Sequence, residues 1–162
     1  MTTKLRNMTS IYIKRDGKFL LLYRIGSRVV PPSWCGIGGH FERDELNKPY
    51  DAMLRELSEE CGLAEGDLVN IRMRYVTLRL KGGEIRQNYY YFADLREGVN
   101  VDMDCEEGEL RWVEENALPF GEMSHTAEFV LRHYMEVGRH DALIYTGTAV
   151  EGSVVFCELS EF

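Results

Sequence analysis

Three carboxylates lie close together in one short stretch of the sequence, residues 55–63 (RELSEECGL). Glu56, Glu59 and Glu60 have the spacing i, i+3 and i+4, and residues with this spacing share one face of an α-helix. Like charges at neighbouring positions of a helix repel one another. A divalent cation such as Mg²⁺ removes this repulsion, because it binds carboxylate oxygens and takes water and substrate phosphates as its other ligands. The spacing therefore indicates either a metal site or a solvent-exposed acidic helix face.

A glycine-rich segment before this stretch favours the metal site. Gly36, Gly38 and Gly39 are predicted to form a turn, and glycine allows the backbone to approach a ligand closely and to adopt a positive φ. Two of the acids that follow, Glu42 and Glu45, are candidates for additional contacts with the same site.

The acidic stretch is predicted to belong to a helix that packs on a core. Asn47 is the predicted N-cap, Pro49 suits the first turn, and Gly62 suits a left-handed residue that ends the helix. Arg55 has the spacing to form an ion pair with Glu59. One apolar stripe is predicted to face the core: Tyr50, Leu54, Leu57 and Cys61.

These residues resemble the signature of the Nudix hydrolases. Gly39 is followed after five residues by Glu45, and residues 55–63 match the second half of the signature at every fixed position. The sequence departs from the pattern between the two halves. Nine residues, 46–54, separate Glu45 from Arg55, where the family has seven. We expect the two additional residues to lengthen the loop before the helix, which leaves the role of Glu45 open.

The resemblance implies a fold of the α/β class, an α/β/α sandwich with a mixed sheet. It also implies hydrolysis of a nucleoside diphosphate linked to another group, with Mg²⁺ or Mn²⁺ as cofactor. Glu56, Glu59 and Glu60 would ligate the metal, and Glu56 would also be the candidate base. Arg55 would orient these carboxylates, and the backbone at Gly39 would complete the metal site.

Two features bear on the substrate. The chain has no proline between Pro49 and Pro119, whereas relatives that cleave ADP-ribose typically carry one shortly after the motif. The chain length and residues 111–120 resemble the MutT-like branch, which cleaves nucleoside triphosphates, including oxidised dGTP, to the monophosphate and pyrophosphate. The alternatives are another nucleotide derivative, such as a nucleotide sugar, ADP-ribose or a dinucleoside polyphosphate, and a nucleotide-sensing module without turnover.

Two arginines and two acids outside the motif are further candidates. Arg24 and Arg28 precede the glycine segment and are either phosphate ligands or solvated loop charges. Glu106 and Glu107 lie near the place where some Nudix enzymes carry a glutamate that binds metal or acts as the base. Alternatively, Glu106 and Glu107 are acids in a solvated loop.

The entrance to a second predicted helix supplies candidates for a base pocket. Phe120, Met123, Ser124 and His125 would form its wall, or would simply pack where the helix begins. This helix is predicted over residues 125–137, with Ser124 as its N-cap and Gly138 at its end. The strands are predicted at residues 9–14, 18–23, 68–80, 85–95 and 110–113, with two short strands within 143–159.

Length and composition favour one domain over residues 1–162 that binds a small molecule. The net charge of −8 argues against a nucleic-acid polymer as partner, since such a partner calls for a basic patch. No apolar run is long enough to span a membrane, and the N-terminus lacks the apolar core of a signal peptide. The four cysteines show no CxxC spacing, so we expect free thiols in a cytoplasmic protein. The protein is expected to be either a monomer or a homodimer.

Overall fold

The computed structural model describes residues 3–26 and 31–162. In these residues the chain forms ten strands and two α-helices. The strands are β1 (Lys4–Arg15), β2 (Lys18–Arg24), β3 (Ser33–Cys35), β4 (Ile37–His40), β5 (Leu68–Lys81), β6 (Glu84–Leu95), β7 (Asp104–Cys105), β8 (Gly108–Glu114), β9 (Tyr145–Val150) and β10 (Ser153–Glu158). The helices are α1 (Pro49–Cys61) and α2 (His125–Glu136). No helix in the described part of the chain is both long and apolar enough to cross a membrane.

The strands form one mixed sheet with the order β10-β9-β5-β6-β1-β2-β8-β7. Strand β1 is parallel to β6, and β5 is parallel to β9, while the other pairs are antiparallel. Strand β4 pairs with residues 8–11 in the middle of β1, and β3 pairs with β2. The glycine segment and the central strands are therefore held in one hydrogen-bonded ladder.

Side chains that alternate along the central strands build two separate cores. On one face, Ile11 and Tyr91 pack with Leu57 of α1. On the other face, Tyr12 and Tyr90 belong to the cluster that contains buried residues of α2. This alternation is the period of two that a strand imposes on its side chains. The sheet thus lies between two helices, and the predicted α/β/α sandwich with a mixed sheet is confirmed.

Helix α1 begins one residue later than predicted. Lys48 and not Asn47 is the N-cap, because proline occupies the first helical position and the residue directly before it therefore caps the helix. The Lys48 carbonyl accepts the Ala52 N–H at 3.0 Å. Gly62 ends the helix with φ 65°, as predicted. Of the predicted apolar stripe, Leu57 and Cys61 are buried, whereas Tyr50 and Leu54 are half-buried against the same core.

The glycine segment is a strand and not the predicted turn. Gly38 lies opposite Ser10, and Gly39 lies opposite Thr9 in an antiparallel pair. A Cβ at position 38 would lie 2.0 Å from the Thr9 carbonyl oxygen, and its φ is 155°. Because Gly38 has no side chain, β4 can approach β1 closely. Gly38 and Gly39 therefore belong to a strand paired with β1, where a turn was predicted.

Strand β1 begins at Lys4, five residues before the predicted range 9–14, whereas the other predicted strands agree with their ranges to within two residues. Two short strands were not predicted. Strands β3 and β7 have three and two residues, which is too short for a periodic pattern. Ser124 is the N-cap of α2, as predicted. The helix stops at Glu136 with Val137 as its C-cap, and Gly138 begins a short 3-10 helix and does not end α2 as predicted.

Candidate active site

A cleft of about 540 Å³ opens where α1, α2 and the sheet meet. Gly38 and Gly39 of β4 and Glu56 of α1 line one side of it. The first residues of α2 line another side, and side chains of β1, β5 and β6 form the floor. The lining side chains from the sheet and α2 include Ser10, Thr77, Arg79, Arg86, Asn88, Tyr90, Ser124 and Thr126.

Two of the three motif carboxylates, Glu56 and Glu60, are buried beside this cleft, and of these two only Glu56 lines it. Glu60 is only 3 % exposed, and one of its oxygens accepts the Gly38 N–H at 2.9 Å. Glu56 lies beside Gly39 so closely that a Cβ at position 39 would be 2.5 Å from its Oε1 atom. Strand β4 therefore contacts both carboxylates, and Glu56 fits beside it because position 39 carries no side chain.

Burial changes the acidity of both carboxylates. Burial raises the pKa of Glu60 to about 7, although the charge of Arg24 and the hydrogen bond from Gly38 act in the opposite direction. Burial also raises the pKa of Glu56, against the effect of the neighbouring Arg55. Both carboxylates are costly to ionise at neutral pH unless a cation is present.

Arg24 supplies positive charge to this cluster. Its Nη2 atom lies 2.6 Å from Glu60 Oε1 and also donates to the Gly38 carbonyl oxygen. Its Nη1 atom forms an ion pair with Glu107, which lines the cleft. The Glu60 carboxylate and the Gly38 carbonyl thus already share one cationic partner. Arg24 was predicted as either a phosphate ligand or a solvated loop charge, and the structure places it at the motif carboxylates.

The donor set fits a hard divalent cation. Among residues 3–26 and 31–162, no three His, Cys, Asp or Glu side chains are arranged to hold a metal by themselves. The candidate ligand oxygens are the carboxylates of Glu56 and Glu60 and the carbonyl of Gly38, and a metal ion would replace Arg24 as the partner of the last two. Mg²⁺ is typically held by one or two carboxylates together with water and substrate phosphates. These residues would therefore bind such an ion with part of its ligand shell supplied by the substrate.

Arg55 connects the motif carboxylates behind the cleft. Its Nε donates to Glu45 Oε1 at 2.7 Å, and its Nη2 donates to Glu45 Oε2 at 3.0 Å. Its Nη1 lies 2.9 Å from Glu59 and 3.1 Å from Glu56. Hydrogen bonds from Arg55 lower the pKa of Glu45, which is buried and does not line the cleft. The structure places Glu45 on Arg55 despite the two additional residues.

The other predicted acids occupy different environments. The Glu59 side chain is 57 % exposed, so the three motif carboxylates do not form one cluster in the cleft. Glu42 is also exposed and lies 4.0 Å from Arg55 Nε. Glu106 is exposed and does not line the cleft, unlike its neighbour Glu107. Arg28 lies outside the described residues.

The predicted base-pocket wall is largely packed elsewhere, and only Ser124 lines the cleft. Met123 is buried in the core under α2. The guanidinium of Arg132 lies 4.0 Å from the ring centroid of Phe120, which packs against the same core. His125 donates from Nε2 to the Ser153 carbonyl at 2.9 Å. Tertiary packing at the helix entrance accounts for these positions, as the alternative reading expected.

Sequence reasoning missed the cleft residues of β5 and β6. Arg79, Arg86 and Asn88 line the cleft. Asn88 and Arg86 precede Tyr90 by two and four positions, so they share its side of the sheet. This alternation could have identified the three residues as neighbours on one face of β6. The sequence did not show which face of β6 borders the cleft.

Comparison with known proteins places this geometry in a family. The model of the Nudix domain family matches residues 4–134. No curated protein matches the sequence significantly. The solved structures that share the fold include the following three. The mutator MutT protein from Bacillus halodurans is 18 % identical, with a TM-score of 0.68 over 94 % of this chain and 97 % of that one.

The other two solved structures overlap with this chain to a similar extent. A MutT Nudix hydrolase from Burkholderia pseudomallei is 24 % identical, with a TM-score of 0.64 over 80 % of this chain and 97 % of that one. An Ap4A hydrolase from C. elegans is 21 % identical, with a TM-score of 0.65 over 85 % and 99 %. At these identities the likeness concerns the fold, while the family rests on the domain match. The chain therefore belongs to the Nudix family of pyrophosphohydrolases.

Proposed function

We propose that this protein hydrolyses nucleoside triphosphates, including oxidised ones, to the monophosphate and pyrophosphate with Mg²⁺ or Mn²⁺. The observation that carries the proposal is that the Glu56 carboxylate lines the cleft beside Gly39, while the Glu60 carboxylate is buried next to it against Gly38, which lines the same cleft. These oxygens and the phosphates of a nucleotide repel each other unless a divalent cation lies between them.

Each residue of the site has a proposed task. A bound divalent cation neutralises the phosphates and makes water a better nucleophile. The hydrogen bond from the Gly38 N–H to the Glu60 carboxylate fixes the position of both residues. The Glu60 carboxylate and the Gly38 carbonyl are the proposed metal ligands at this position. Glu56, which lines the cleft, accepts the proton of the attacking water. Arg55 keeps Glu56 oriented, since it is itself anchored on Glu45.

The solved structures that share the fold include two MutT proteins and an Ap4A hydrolase, which are different activities on one architecture. The triphosphate proposal rests on the MutT-like layout of the sequence. A sensing module without turnover is disfavoured because all three motif glutamates are retained.

The proposed partner and location follow from charge and cysteine state. A protein with a net charge of −8 suits a small nucleotide delivered with its metal better than a nucleic-acid polymer. Cys35, Cys61, Cys105 and Cys157 are all free thiols. Free thiols support the cytoplasm as the proposed location.

A substrate panel tests the proposed function. Deoxynucleoside triphosphates, oxidised dGTP, ADP-ribose, a nucleotide sugar and a dinucleoside polyphosphate are incubated with the protein in Mg²⁺, Mn²⁺ or EDTA, and the products are separated by chromatography. We expect turnover of a triphosphate with either metal and none with EDTA. Faster cleavage of ADP-ribose or of the nucleotide sugar would contradict the substrate assignment. Nucleotide binding without any turnover would replace the enzyme with a sensing module.

A further inference from the structure

Three arginines lie side by side on neighbouring strands at one end of the cleft. Arg6 of β1 is the register partner of Arg86 of β6, and Arg86 is the register partner of Arg79 of β5. Like charges directly opposite each other on adjacent strands are destabilising. This arginine row, Arg6, Arg86 and Arg79, is therefore unfavourable in the ligand-free protein unless anions neutralise it.

The protein neutralises this row only in part. Glu84 forms ion pairs with Arg6 at 2.9 Å and with Arg86 at 3.1 Å, so one carboxylate serves two guanidinium groups. Arg79 has no ion pair among the described residues. Arg79 and Arg86 both line the cleft. In a chain of net charge −8, this is a local excess of positive charge that faces the substrate space.

An unpaired acceptor lies on the floor of the same cleft. The Oδ1 atom of Asn88 is buried and has no hydrogen-bond partner, whereas its Nδ2 donates to Ser10 Oγ at 3.3 Å. A buried acceptor without a donor is unfavourable. An ionised phosphate offers no donor, but a ribose hydroxyl or a nucleobase N–H does. Asn88 therefore fits the nucleoside part of a nucleotide.

The register gives the order of these groups along the cleft. On β1, Thr9 lies opposite Gly39, Met8 lies opposite Asn88, and Arg6 lies opposite Arg86. With about 3.3 Å per residue and about 4.8 Å per strand, the backbone of Arg86 is roughly 14 Å from that of Gly39. This distance exceeds the spacing of adjacent phosphates. The arginines therefore lie beyond Asn88 as seen from the motif carboxylates.

We infer that the site prefers a nucleoside triphosphate that carries an additional phosphate on its ribose, bound by Arg79 and Arg86, while Asn88 contacts the nucleoside between this phosphate and the scissile diphosphate. Paired guanidinium groups suit phosphate oxygens because each presents several N–H donors in one plane. The inference rests on the proposed function, because it names a further group on the substrate of the same site.

Equilibrium binding tests this inference without turnover. Calorimetry compares AMP with adenosine 3′,5′-bisphosphate and adenosine 2′,5′-bisphosphate in Mg²⁺ buffer, since none of these contains a diphosphate to cleave. We expect at least one bisphosphate to bind about tenfold more tightly than AMP, as one charge-assisted contact gives. Arg79→Gln should remove this advantage and leave the Kd for AMP within about twofold of the wild-type value.

The matched control is Arg72→Gln. Arg72 is exposed on the same strand and does not line this cleft, so the variant should keep the tenfold preference. Equal weakening of AMP and the bisphosphates by Arg79→Gln would overturn the inference, as would equal affinity of the wild type for all three. A non-hydrolysable ATP analogue that loses at least as much affinity as the bisphosphates in Arg79→Gln would assign the arginines to the polyphosphate chain and would also overturn it. A bisphosphate preference in a protein that hydrolyses no nucleotide would refute the proposed function and leave the inference standing.

Discussion

At the scale of single residues, the site depends on which motif carboxylates are buried. The i, i+3, i+4 spacing predicted that Glu56, Glu59 and Glu60 share one side of a helix. It could not show that only two of them are buried or that only Glu56 lines the cleft, because both depend on how β4 packs against α1. Glu60 contacts the Gly38 N–H, whereas Glu59 extends into solvent and pairs with Arg55.

The first prediction concerns Glu60. Glu60→Gln should lower kcat by about 100-fold or more, because an uncharged amide is a poor ligand for Mg²⁺. The variant should remain folded, and steady-state kinetics with circular dichroism measure both effects. Glu151→Gln, in the exposed turn between β9 and β10, is the control and should retain wild-type kinetics. A Glu60→Gln enzyme with normal kcat in saturating Mg²⁺ would refute the proposed role of Glu60.

The same variant tests the acidity of Glu60 in metal-free protein. The folded pKa of about 7 is above the ordinary value of 4.5, so the folded state binds the proton more tightly than the unfolded state. Stability from this group is present below pH 4.5 and is lost as the pH rises through 7. Glutamine does not titrate. Urea denaturation in EDTA should therefore show Glu60→Gln gaining stability relative to wild type between pH 5 and pH 8, and a relative loss over that range would contradict the burial of this carboxylate.

A separate prediction distinguishes Glu45 from Glu56. Glu45→Gln weakens the paired hydrogen bonds to Arg55, so the free energy of unfolding should fall by about 1–3 kcal/mol. Its kcat should fall far less than that of Glu56→Gln, since Glu45 does not line the cleft. Urea denaturation and steady-state kinetics measure the two variants, with exposed Glu42→Gln as control. Equal losses of kcat would show that Glu45 acts in the reaction itself.

At the scale of elements, the acidic helix was predictable and the glycine strand was not. Pro49 and Gly62 mark the ends of α1, and both signals come from the chain's own backbone preferences. Gly38 and Gly39 suggested a turn because glycine permits many conformations. Their actual role depends on a partner strand that is distant in sequence, since β4 pairs with β1 and leaves room for Glu56.

Gly39→Ala tests this role of the glycine strand. The added Cβ would lie 2.5 Å from Glu56 Oε1, which is the mobile end of a side chain and not backbone. We expect kcat to fall by about tenfold or more as the carboxylate is displaced, with a small change in melting temperature. Gly66→Ala is the matched control, since nothing lies within 4 Å of its added Cβ. Wild-type kinetics for Gly39→Ala would show that the close fit around Glu56 is dispensable.

At the scale of the whole molecule, the sandwich and its family were predictable from one motif and the order of strands and helices. The pocket walls were not, because they depend on which faces meet across the sheet. Phe120, Met123 and His125 pack at the entrance to α2 instead of lining the cleft, while Arg79, Arg86 and Asn88 reach it from strands whose exposed face the sequence did not reveal.

The identity of the products tests the central claim most directly. One deoxynucleoside triphosphate that the protein hydrolyses is incubated with Mg²⁺, and the nucleotide and phosphate products are quantified by ion-exchange chromatography and a pyrophosphate assay. Attack inside the polyphosphate chain, at phosphates held beside Glu56 and Glu60, predicts equal amounts of nucleoside monophosphate and pyrophosphate. Nucleoside diphosphate and orthophosphate as the main products would contradict the account.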